Sequence, residues 1–186
     1  RAMLAGRVQA AVGAARKVTP FNCFVASTID DSMDGIMNVA KEAAQTMRMG
    51  GGIGFDFSTL RPRGSRIITL DSEASGAVSF MDIFDAVCGT VSSAGNRRGA
   101  MMGVLRVDHP DIEEFIHAKQ NKYRLRNFNI SVGITDKFME AVKAGTDFEL
   151  NWNGHRPYRV VDAKSLWDQI MRATWEWAEP GVLFID

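Results

Sequence analysis

The chain has 186 residues, with 22 Lys+Arg against 22 Asp+Glu, a formal charge of +0, 46% hydrophobic and 24% charged residues. That is enough for one domain with a sizeable core, and the balanced charge argues against a general nucleic-acid binder, which carries a basic excess. Two cysteines, Cys23 and Cys88, are too few for a disulfide scaffold or a zinc site, no apolar run nears the roughly 18 residues of a membrane span, and no signal peptide opens the chain, so we read a reducing, cytoplasmic setting.

Residues 1–20 are rich in Ala, Gly and Arg and show no firm period, which gives a loop or a frayed helix. Phe21–Val25 reads as a short buried strand. Asp31 or Ser32 then caps a helix whose apolar residues, Met33, Ile36, Met37, Ala40, Ala44 and Met47, recur at helical spacing. Arg48 in its last turn and Gly50 just beyond suit its end. Ile53–Phe57 is the next strand, followed by the polar turn Arg61–Ser65.

From Gly76 a second helix carries Phe80, Phe84, Val87, Cys88 and Val91 on one face, and Met101–Val107 is the apolar run after it. Asp108 with Pro110 predicts a helix start, with Ile112, Phe115 and Ile116 as its buried face. Phe128, Ile130, Val132 and Ile134 alternate as in a strand. Thr135 caps a short helix closed by Gly145. Phe148–Trp152 and Tyr158–Val161 pair as a hairpin around Asn153-Gly154. Leu166, Trp167, Ile170, Thr174 and Trp177 line the last helix, and Pro180-Gly181 breaks it before a final strand. Alternating strands and helices predict an α/β architecture with a mainly parallel sheet, in one domain or part of one. The chain starts at Arg1 and stops at Asp186, directly after an apolar run, so we expect a piece of a longer protein.

Two stretches invite a ligand. Gly50–Gly54 lies between a helix and a strand, the reverse of the strand–glycine–helix order of a dinucleotide fingerprint, and no Gly-Lys-Ser/Thr marks a P-loop. It is either a helix C-cap or a place where backbone approaches a ligand. Ser92–Ala100 sets two arginines among small polar residues and glycines, as an anion site does, or as a solvated turn does. On local grounds Cys23 and Cys88 are inert core residues, and His109, His117 and His155 lack metal-ligand spacing. Local chemistry alone stops at a nucleotide-binding α/β domain.

The ordered set of segments goes further. Asn22–Val25, Asp31–Ile36, Gly51–Pro62, Ser93–Met102, Asp108–Glu113 and Glu179–Asp186 together resemble the catalytic subunit of ribonucleotide reductase, in its adenosylcobalamin-dependent class II form, from about Gly6 to Asp186. The resemblance implies a ten-stranded α/β barrel built from two five-stranded parallel halves. Residues 1–186 would be a fragment of that single catalytic barrel domain, roughly its first half.

It also implies reduction of ribonucleoside di- or triphosphates to 2′-deoxyribonucleotides. A cobalamin-derived thiyl radical would take the ribose 3′ hydrogen, and a cysteine pair would deliver the electrons. Cys23 matches the first of that redox pair, held on a strand and out of bulk water. Asn22, Cys23, Gly52 and Arg98 match substrate contacts. Asp31, Ser32, Met33 and Arg61 match the site for a deoxynucleotide effector, which the family binds at a homodimer interface. The Ser93–Met102 loop matches the element between effector and substrate. The implied partners are a ribonucleotide, that effector, a thioredoxin-like reductant and a second copy of the chain; no metal ligand and no nucleic-acid or membrane contact is implied for these residues. The radical cysteine, the partner of Cys23 and most of the cobalamin site would lie beyond Asp186, and half a barrel would leave open sheet edges. Two rivals remain: a class I large subunit, which takes its radical from another subunit, and a non-catalytic nucleotide-binding module.

Overall fold

A computed structural model describes residues 5–15, 18–91, 99–154 and 158–186. In chain order its elements are α1 (Gly6–Ala11), β1 (Cys23–Val25), α2 (Met33–Arg48), β2 (Gly52–Asp56), β3 (Arg66–Ile67), β4 (Ser72–Glu73), α3 (Ala77–Thr90), β5 (Met101–Arg106), α4 (Ile112–His117), β6 (Phe128–Ile134), α5 (Asp136–Ala144), β7 (Asp147–Leu150), β8 (Arg159–Asp162), α6 (Ala163–Trp177) and β9 (Gly181–Phe184). Five strands form one sheet in the order β1-β2-β5-β6-β9, every neighbour parallel. Two small antiparallel hairpins, β3–β4 and β7–β8, stand outside it. The expected α/β chain with a parallel sheet is therefore present.

Local chemistry sets the helix limits. Ser32 Oγ accepts the Gly35 amide and Thr135 Oγ1 the Phe138 amide, so each hydroxyl satisfies a first-turn donor that has no partner within its helix. At the other end of α2, Gly50 N donates to Met47 O at 2.8 Å and Gly51 N to Thr46 O at 3.1 Å. With Gly50 at φ +80°, this is a Schellman turn. Arg7 closes it from α1, with Nη2 donating to Gly50 O at 2.7 Å and Nε to Thr19 O at 3.0 Å.

The strand register divides the sheet into two unlike faces. Phe24, Ile53, Met101 and Phe128 share one row, and Phe55, Gly103 and Ile130 the next, all facing the helices. Phe55, Phe57, Phe84 and Phe128 meet there with ring centroids 4.9–6.2 Å apart. Each such ring, fully buried, stabilises the fold by about 1.5–3 kcal/mol. The other face carries Cys23, Gly52, Gly54, Asn129 and Ser131, which are small or polar, with Val25, Met102 and Val104 among them, and it is in part open. That alternation of large apolar with small residues is why β2 reads as a strand although it holds two glycines.

Several expectations need correction. β1 is an edge strand rather than a buried one: Cys23 is exposed and Val25 is 93% exposed. On α2 the buried face is Ile36, Val39, Ala40, Ala43 and Met47, leaving Met33 and Met37 in solvent. Trp177 is likewise exposed at the end of α6, whose buried face is Ala163, Leu166, Ile170 and Ala173. Helix α4 starts after Asp111, not Asp108, because Asp108 turns back to accept a fork from Arg106 at 3.0 and 2.8 Å.

Candidate functional site

The turn that ends α2 delivers Gly52 directly opposite Cys23. The two are register partners in β1 and β2, and Gly52 N donates to Asn22 O at 2.7 Å. A Cβ on residue 52 would stand 3.4 Å from Ala100 O, 3.6 Å from Asn22 O and 3.7 Å from Cys23 Sγ. Glycine keeps that space clear beside an exposed thiol. Asn22, Cys23 and Gly52 are thus brought together, and Gly99–Ala100, the described end of the second polar loop, joins them. Arg98 and the rest of residues 92–98 lie outside the described residues, as does His155.

Among the described residues the Cys23 side chain is exposed, on the sheet face opposite the helices. An exposed thiol on a fixed strand can meet a solute and can be oxidised to a disulfide with a second thiol. Cys88 cannot take that part. It sits 3% exposed on the inner face of α3, and burial, followed by the nearby Asp85 charge, pushes its pKa up to about 11, so it remains a thiol packed in the core.

A second group forms at the opposite ends of β1 and β2. Arg61 donates from its amide to Asp31 Oδ1 at 3.1 Å, from Nε to Oδ2 at 2.8 Å and from Nη2 to Asp31 O at 3.2 Å. Thr59 Oγ1 adds a 2.6 Å bond to Ile29 O. Ser32 caps α2 beside them and Met33 projects from its first turn, 61% exposed. Asp31, Ser32, Met33 and Arg61 are therefore neighbours. They are separated from Cys23 by the length of β2, five residues or about 16 Å at about 3.3 Å each. The Gly99–Ala100 end of the polar loop belongs to the Cys23 group, not to this one.

Residues missed in the sequence hold this second group in place. Asp111, 7% exposed, accepts the Arg63 amide at 3.0 and 3.2 Å and the Ala77 amide at 2.9 Å. His109 Nδ1 accepts the Asp111 amide at 3.1 Å, which leaves Nε2–H to donate to Leu60 O at 2.9 Å. The ring is neutral in this tautomer, and desolvation lowers its pKa despite the opposing pull of that bond and of Asp111, Asp108 and Asp56. One clue was legible: a helix opened by Gly76 has no capping side chain of its own and must borrow an acceptor.

Two cavities are also present. One, about 320 Å³, opens past the ends of β2 and β5 among Asp56, Ser58, Arg106, Asp108, Asn151 and Trp152. The other, about 340 Å³, lies between α4 and α6 around His117, Gln169 and Arg172. Neither is lined by Cys23. No group of three His, Cys, Asp or Glu among the described residues is arranged to hold a metal. No helix among them is long and apolar enough to cross a membrane.

Comparison with known proteins matches this chain over residues 21–186 to the family model described as ribonucleotide reductase, barrel domain. The vitamin B12-dependent ribonucleoside-diphosphate reductase of Thermoplasma acidophilum is 40% identical over 166 residues, covering 88% of this chain and 22% of that protein. The protein of the same description from Mycobacterium tuberculosis is 42% identical over 166 residues, with 88% and 24% covered. The vitamin B12-dependent ribonucleotide reductase of Streptomyces clavuligerus is 36% identical over 189 residues, with 88% and 20% covered. The chain spans less than a quarter of the length of these curated relatives.

Proposed function

The chain belongs to the ribonucleotide reductase barrel-domain family, and from that premise we propose that it is part of a catalytic subunit that reduces ribonucleotides to 2′-deoxyribonucleotides in the cytoplasm. The observation that carries this reading is the exposed Cys23 thiol, in register with Gly52 and next to Asn22, with cleared space beside its sulfur. In the overall reaction the ribose loses its 2′ hydroxyl as water and gains a hydrogen at that carbon. Two thiols supply the hydrogens and electrons and end as a disulfide. Cys23 is one of them, the second lies elsewhere in the full-length protein, and a thioredoxin-like dithiol returns the pair to its reduced form.

Asn22 and the Gly52 backbone hold the sugar near Cys23, a role in which fixed geometry matters more than charge. Arg98 neutralises substrate charge. Asp31, Ser32, Met33 and Arg61 form the effector site. The exposed apolar side chains Met33 and Met37 on the first turns of α2 support a homodimer interface there.

The relatives are described as vitamin B12-dependent, and we extend that dependence to the full-length protein. We place most of the cofactor's site outside residues 1–186. The cofactor would supply the starting radical from elsewhere in the protein, and no step here runs through it.

The test is anaerobic reduction of ribonucleoside di- and triphosphates by the full-length protein with a dithiol, with and without adenosylcobalamin. Turnover that requires the cobalamin supports the proposal. Turnover that requires instead a radical-generating subunit moves the protein to class I. No turnover in either case, with deoxynucleotide binding intact, leaves a binding module.

A further inference from the structure

Helix α3 opens on Gly76, at φ +91° and with no side chain to cap the helix. The acceptor comes from 34 residues away, where Asp111 Oδ2 takes the Ala77 amide at 2.9 Å. A Cβ on residue 76 would stand 2.7 Å from that oxygen, so glycine is what admits the carboxylate. The same carboxylate takes the Arg63 amide with both oxygens. Glu114, one turn further along, forks the Arg63 guanidinium at 3.0 and 2.9 Å, and His109 fastens Leu60 O. Leu60 and Arg63, on either side of Arg61, are thereby fixed to the 109–114 segment. Arg61 is left with its amide and guanidinium aimed at Asp31.

We propose that Asp111 is a positioning residue for the effector site: by fixing the Arg63 backbone against α3 it holds Arg61 beside Asp31 in the arrangement that a deoxynucleotide meets. This inference rests on the effector reading given above. A loop already ordered binds its ligand without the cost of ordering on contact. Losing Asp111 therefore weakens the ligand's affinity rather than the chemistry at Cys23, which lies at the other end of β2. The role differs from a general structural one in that excess ligand compensates for the loss.

The experiment measures dTTP and dATP binding to full-length Asp111→Asn by equilibrium dialysis, together with kcat for ribonucleotide reduction as the effector is raised to saturation. The expected result is a Kd raised about tenfold, with kcat at saturating effector recovering to within about twofold of wild type. Asp111→Glu is expected to regain part of the affinity. Wild-type Kd, or a kcat that stays low at saturation, overturns the proposal. Should Asp111→Asn not fold, Glu114→Gln decides: it loosens the fork on Arg63, a half-exposed pair, and the longer 3.6 Å contact with Arg124 while leaving the Asp111 carboxylate in place, and a Kd raised about threefold or more supports the proposal, whereas an unchanged Kd overturns it. Arg61→Ala run alongside separates the two readings. If Arg61→Ala binds effector as tightly as wild type, the effector site itself is elsewhere and both fall; if it loses binding while Asp111→Asn does not, only the Asp111 proposal falls.

Discussion

Cys23 and Gly52 face each other across the first two strands, and a Cβ on residue 52 would lie 3.7 Å from the Cys23 sulfur. That spacing is ordinary van der Waals contact, so a methyl group fits there without displacing backbone. Gly51, one residue earlier, differs: its Cβ would sit 2.7 Å from the Phe24 ring and 3.1 Å from Thr46 Cγ2.

The two glycines should therefore separate function from stability. In the full-length protein Gly52→Ala is expected to keep its unfolding free energy within about 1 kcal/mol while KM for the ribonucleotide rises several-fold. Gly51→Ala is expected to lose about 1–3 kcal/mol through overpacking, with KM little changed in the folded fraction. Urea unfolding and steady-state kinetics on both variants check this. A Gly52→Ala enzyme with unchanged KM would remove residue 52 from the substrate contacts.

How far the sequence revealed these features depended on the range of the interactions. The caps at Ser32, Thr135 and Gly145, and the C-cap half of the Gly50 reading, are interactions within one helical turn, and a local pattern carries them. The face of α2 was misjudged because Met33 and Met37 share the helical spacing of the residues that are buried; which stripe turns inward is decided by β2 and α3, not by α2 itself. Cys23 looks like core by its neighbours, yet its side chain falls on the sheet face opposite the helices, where the described residues leave it exposed. The uncapped start at Gly76 shows that an acceptor is needed, but not that it is Asp111, whose partners Arg63 and Ala77 are 48 and 34 residues away. Two-residue strands such as β3 and β4 are too short for any alternation to show.

The Asp31–Arg61 pair predicts a loss of both stability and effector affinity. Its side chains are 22% and 32% exposed, so solvent screens the attraction only in part and Arg61→Ala should cost about 1–3 kcal/mol of stability. Effector affinity in the same variant should fall about tenfold or more if Arg61 meets the deoxynucleotide. Thermal unfolding and dialysis on the full-length protein measure both. A stability loss with unchanged effector affinity would make the pair structural.

His109 predicts a pH dependence. Burial lowers its folded pKa below the usual 6.5, so between those two values the unfolded chain binds a proton that the folded chain does not. Stability from this group is complete above about pH 6.5 and is lost as pH falls toward the lower folded value, by up to about 1.4 kcal/mol per pH unit. In the full-length protein the advantage of wild type over His109→Asn should shrink between about pH 7.5 and about pH 5.5. A difference that stays constant over that range would mean that the ring does not titrate differently in the two states.

If Cys23 is one of two thiols consumed in each reduction, a single round without external reductant must show the loss of both. Prereduced full-length protein would be freed of dithiol, mixed anaerobically with adenosylcobalamin and a ribonucleotide, and assayed for deoxynucleotide and free thiol. Wild type and Cys88→Ser are predicted to lose about two thiols for each deoxynucleotide formed, and Cys23→Ser to form none. Product formation by Cys23→Ser with the wild-type loss of thiol would contradict the account.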